Sequence, residues 1–182
     1  MDAQAIERLL DELAERADTR FEGVQGDYRA LIVVNPTDAP YTGVAVLHVD
    51  MPLKAGSEPR PAAVWAPDGV RVPCQILHSR LEPVAEWRMP DGSVRPLPDG
   101  SRRWRFDMAF WVEGLPPRSY RVYRSAWSAD ELPLPALPTA EPPVRVREAI
   151  PHAGTLGKEG RLDEHCRGAF SSASARSGRI DV

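Results

Sequence analysis

The apolar residues of this chain change period once, at Tyr28, and that change limits what the chain can fold into. Before it, Ile6, Leu9, Leu10, Leu13, Ala14 and Ala17 recur every three or four positions in a segment free of Gly and Pro. That spacing predicts an amphipathic helix over residues 3–18. After it, the pattern becomes one of strands: Ala30 to Val34 is a β-branched apolar burst, and Gly43 to Val49 alternates in type. Asn35-Pro36 separates these two, since proline lacks a backbone N–H and pushes the residue before it to extended geometry.

Further strands are predicted at Ala62 to Trp65, Val70 to Arg80, Trp104 to Val112 and Ser119 to Arg124. Pro-Asp-Gly at 67–69 lies between two of them, and Asp and Gly supply the geometry of a hairpin turn. The same tripeptide at 90–92 and 98–100 marks an extra surface hairpin or loop. Short strands with frequent turns and no alternation of strand with helix predict a mainly β fold, an antiparallel sandwich of immunoglobulin-like type preceded by one helix. No second helix is visible, so the stripe on the first must lie on the sandwich or on a neighbouring bundle.

The expected boundaries are a helix in residues 1–20, a sandwich in 21–128, a linker and loop in 129–161 and the opening of a further β-domain in 162–182. The linker is expected because residues 132–143 carry five prolines.

At 182 residues with 42% hydrophobic content the chain can bury a sizeable core. A net charge of -3 with arginines scattered among acids provides no basic face, so neither nucleic acid nor an anionic membrane is expected as a partner. The start, MDAQAIERLL, is acidic where a secretory signal is basic, and no stretch approaches the roughly 20 apolar residues of a membrane helix. Cys74 and Cys166 lie far apart and suit neither a disulfide framework nor a zinc spacing. A cytoplasmic protein with free thiols is the expectation.

Chemistry is sparse. His48, His78, His152 and His165 have no partner at metal-ligand spacing, and no metal site or cofactor is expected in this chain. His165-Cys166 is an adjacent pair in the tail, without a scaffold to fix a nucleophilic triad. Glu82, Glu86, Asp91, Asp99 and Asp107 contain no evident pair held about 5 to 9.5 Å apart, as glycoside hydrolysis requires, and read as solvated turn residues. Among the five tryptophans, Trp104 shares its face with Phe106, Met108 and Phe110 and belongs to the core. Trp87, in the polar insertion, and Trp111, on the opposite face of its strand, are the candidates for stacking a sugar ring, with interface packing as the other reading.

The order of these features resembles one region of glycoside hydrolase family 38, the α-mannosidases. A helix ending in an ADT turn leads to a strand with an asparagine-proline step in RADTRFEGVQGDYRALIVVNPTDAP. The hairpin DGVRVPCQIL follows, then a Phe-rich strand closing on VEGLPPRSYRVYRS, and finally RLDEHCRGAFSSASARSGRI, similar to the entry of the family's next sandwich. Ser119 stands where the family has glycine, and Asp163-Glu164 where it has Glu-Asn.

The resemblance implies the end of the helical bundle and the first small sandwich of a zinc-dependent α-mannosidase. The zinc ligands and the nucleophile would belong to a barrel that this sequence does not include, so no catalytic or metal residue carries over. The expected role is non-catalytic, with the remaining mannosidase domains as partners, or self-association through the helix stripe. A stand-alone module binding glycan or protein is the alternative, and an independent enzyme using the loop carboxylates is a further rival.

Overall fold

The computed structural model describes residues 2–137 and 141–162. Its elements are α1 (Ala3–Arg16), β1 (Arg29–Asn35), β2 (Tyr41–Leu53), β3 (Ala62–Trp65), β4 (Arg71–Val72), β5 (Cys74–Pro83), β6 (Glu86–Arg88), β7 (Val94–Pro96), β8 (Arg102–Leu115), β9 (Ser119–Trp127), β10 (Arg145–Ala149) and β11 (Glu159–Arg161).

They form three layers. The central sheet runs β10-β1-β9-β3-β4, with β11 also paired to β9, and the flanking sheet runs β2-β8-β5. All pairings between these strands are antiparallel. Leu31, Val33, Val64 and Tyr123 of the first sheet meet Trp104, Phe106, Met108 and Phe110 of the second in the main core. The mainly β sandwich with one N-terminal helix is therefore as expected.

The helix supplies the third layer. Asp2 caps it, its side chain accepting from the Ala5 N–H at 2.7 Å, which satisfies one of the donors left open in the first turn. Ile6, Leu9, Leu10 and Leu13 pack on Ala30, Ile32, Val34 and Val122, forming a second core on the other face of the same sheet. Leu10 and Leu13 are 1% exposed, and full burial of such a side chain contributes about 1.5–3 kcal/mol. The sandwich covers the stripe. Self-association through it thus loses the exposed surface on which that expectation stood.

The two-sided burial also explains the unbroken apolar run of β1. Its alternate residues face different cores, so every position from Ala30 to Asn35 is buried.

After the helix, the ADT turn is sewn to residues 150–158. The buried Thr19 hydroxyl donates to the Ile150 carbonyl at 3.2 Å and accepts the His152 N–H at 2.8 Å. The Leu156 N–H donates to the Arg16 carbonyl at 2.9 Å, the Asp18 N–H to the Leu156 carbonyl at 2.8 Å, and Lys158 donates to the Asp18 carboxylate at 2.7 Å. The Asn35-Pro36 step is organised by the Asn35 side chain, which donates to the carbonyls of Ala39 at 2.8 Å and Pro116 at 2.9 Å and accepts the Thr37 N–H at 3.1 Å.

Two expectations are corrected. The strand expected over Val70 to Arg80 is divided at Pro73: β4 pairs with β3 in one sheet, and β5 pairs with β8 in the other. Proline donates nothing to a ladder, and here the chain changes sheets. Within residues 129–161, expected as linker and loop, β10 pairs with β1 and β11 with β9. The first part of the Pro-rich stretch also lies against the sandwich, where the Cys74 N–H donates to the Leu132 carbonyl at 2.8 Å and the Leu134 N–H to Gln75 at 3.1 Å. Of the expected further domain, residues 163–182 lie outside the described residues. The β6–β7 hairpin, turning at Pro90-Asp91-Gly92, is the surface hairpin that the repeated tripeptide indicates.

Candidate functional site

A cleft of about 740 Å³ opens at one end of the sandwich, between the inner faces of the two sheets. Strand alternation builds it. Along β9, Tyr123, Ser125 and Trp127 point toward the flanking sheet, and β8 answers with Phe106 and Met108. Trp127 stacks on the buried Trp104 with ring centroids 5.4 Å apart and lies 6.1 Å from Phe106. The Trp104 indole N–H donates to the Ser79 hydroxyl at 2.9 Å, which fixes the ring beneath Trp127. Trp127 itself is 45% exposed.

Polar groups rim the same cleft. The Arg29 guanidinium lies 3.4 Å from the Glu148 carboxylate. Asp50 also borders the cleft, but its carboxylate turns to the far face of its sheet, where it accepts from Arg103 at 2.8 Å, and this hydrogen bond holds its carboxyl below the usual carboxylate range.

The two sequence candidates lie elsewhere. Trp87 is on the β6–β7 hairpin, with the Arg103 guanidinium 5.7 Å from its ring centroid. Trp111 pairs with Val44 of β2 on the outer side of the flanking sheet. Arg103 and Trp111 are eight residues apart on one strand, which at ~3.3 Å per residue is roughly 26 Å. Trp87 and Trp111 therefore do not share a groove. Trp127 was missed because the expected strand stopped at Arg124. Carrying the alternation three residues further would have put it on the inner face.

Of the carboxylates expected in turns, Glu82, Glu86 and Asp107 lie instead on β5, β6 and β8, and Asp91, Glu82 and Asp107 are engaged locally. Asp91 accepts from the Ser93 N–H at 2.9 Å inside its turn, and Glu82 lies 3.6 Å from Arg105. Asp107 bridges two exposed histidines, 2.5 Å from His48 Nδ1 and 2.7 Å from His78 Nδ1. Its partial burial pushes its carboxyl up, and the hydrogen bonds from His78 and His48 outweigh this, leaving it below the ordinary value. Among the described residues no three His, Cys, Asp or Glu side chains are placed to hold a metal ion, and the His165-Cys166 pair lies outside them. Among the same residues no helix is long and apolar enough to cross a membrane.

No protein family and no curated protein matches the sequence. Solved structures do match the fold. An α-mannosidase from Enterococcus faecalis V583 superposes with a TM-score of 0.48 at 15% identity. A glycosyl hydrolase family 38 protein from Enterococcus faecalis superposes with a TM-score of 0.51 at 13% identity. Each match covers 74% of this chain and 16% of the other, so the chain spans about a sixth of the length of these structures. The chain has the fold of one part of a glycosyl hydrolase family 38 protein.

Proposed function

We propose that this chain is a non-catalytic β-sandwich unit of an α-mannosidase-like glycoside hydrolase, whose full-length parent cleaves α-mannosidic bonds in the cytoplasm. The observation that carries this reading is the fold shared with the family 38 protein over three-quarters of the chain. The carboxylates agree with it, because Asp91 is spent on a turn, Glu82 on an arginine and Asp107 on two histidines. Glycosidic cleavage needs a proton donor and a nucleophile or base converging on one bond. Among the described residues no side chains are grouped to hold the zinc of the family, and on this reading the metal and the reacting groups belong to the barrel. The chain's own part is then mechanical: it keeps a helix and two sheets in fixed relation for the domains on either side.

The purified chain should not hydrolyse aryl α-mannosides, with or without added zinc. Turnover above a buffer control that persists through repurification would overturn the reading. The flanking coding sequence supplies the positive arm, since it should encode a barrel with the metal ligands.

A further inference from the structure

We propose that the cleft at the end of the sandwich is a carbohydrate subsite, with Trp127 as the platform for a neutral pyranose and the Arg29–Glu148 pair as the group that reads its hydroxyls. Three observations converge on it. Trp127 is the exposed tryptophan of the cleft, and the stack on Trp104 and Phe106 covers one side of its ring, leaving the other side to the opening. The platform is rigid, because Trp104 is buried and held by Ser79, so a ligand meets an aromatic face already in place. The polar groups stand at the right reach. Ser125 is the register partner of Arg29, and Trp127 is two residues further along β9, which makes Trp127 and Arg29 diagonal neighbours about 7–8 Å apart.

A pyranose has an apolar C–H face and a rim of hydroxyls that donate and accept. Its face matches an indole, and its rim matches a carboxylate beside a guanidinium, which accept and donate respectively. The volume of about 740 Å³ accommodates one or two such rings. A purely apolar occupant, such as a neighbouring polypeptide's side chains, would take the Arg29–Glu148 pair out of water without using the donors and acceptors that the pair leaves over, and such uncompensated desolvation opposes binding.

The proposal uses the mannosidase reading only to include mannosides among the probes, and the hydrolysis assay and the titration below can fail independently. The chain, labelled with nitrogen-15, is titrated with methyl glycosides of mannose, glucose and galactose and with mannobiose and cellobiose, following the indole N–H signals of the tryptophans. At least one sugar should move the Trp127 indole and the amides of Ser125 and Arg29, saturating in the millimolar range. Trp127→Ala should abolish the response, Trp127→Phe should retain part of it, and Glu148→Gln should weaken it about tenfold. Trp87→Ala and Trp111→Ala should leave it intact. No saturable shift with any sugar overturns the proposal, as does a shift confined to the Trp87 or Trp111 indoles. Saturation instead by an apolar tetrapeptide, with the sugars silent, would assign the cleft to a polypeptide and equally overturn it.

Discussion

Gly154 shows how one missing carbon can hold a layer in place. A Cβ built there would sit 2.2 Å from both the Ala17 carbonyl carbon and the Arg16 oxygen, a backbone contact that no rotamer change relieves. The approach lets residues 152–158 bond to the end of the helix through Thr19, Arg16 and Asp18. Gly154→Ala should therefore destabilise the chain by about 1–3 kcal/mol or more, read as a lower midpoint in chemical denaturation. Gly157→Ala, where the nearest atom to the new carbon is 3.5 Å away, should leave the midpoint almost unchanged. The sequence shows Gly154 only as one of several loop glycines. Its role comes from a partner 137 positions earlier, Ala17, whose nearness no local pattern encodes.

The helix and its sheet behave as one unit. Leu10 is buried against the outer face of β1 and β9, and Arg147 of β10 donates to Glu7 at 2.6 Å and lies 3.0 Å from Asp11. Leu10→Ala should cost about 2–5 kcal/mol by leaving a cavity between these layers, and hydrogen exchange should quicken in both the helix and β1. Exchange that quickens in the helix alone would show that the layers open separately.

Legibility in the sequence follows the source of each element's signal. The helix stripe and the β1 run were visible because each carries its periodicity within itself. β10, RVREA, was hidden because its alternating charges read as a solvated segment next to prolines, whereas in the fold Arg147 meets Glu7 and Asp11 of the helix and Glu148 meets Arg29 of β1. The passage of β4–β5 from one sheet to the other was hidden for the same reason, since only the partners differ on either side of Pro73. The cleft was legible only in part: the sugar-stacking chemistry could be read from tryptophan content, but the choice among five rings depends on which face of which sheet each one reaches.

At the scale of the whole molecule, the buried Cys74 reports on the integrity of the sandwich. It lies in the main core, and burial pushes its thiol up to about 12, far from the reactive thiolate. In a Cys166→Ser chain, alkylation of Cys74 should be negligible in native buffer and should appear with denaturant at the midpoint where β structure is lost. Modification at lower denaturant would identify β5 as a locally opening edge.

The place of β1 between β9 and β10 has a consequence in time. Val34 is made 115 residues before Ala149 completes the last strand beside it. At ~5–20 residues per second a ribosome needs about 6–23 s to cover that distance. For that interval the emerging chain carries an apolar strand with an open hydrogen-bonding edge, the kind of segment that recruits other chains. The mature sandwich hides this strand on both faces and both edges. The nascent one depends on the already completed helix to shield a face, or on a chaperone, until translation delivers its final neighbour.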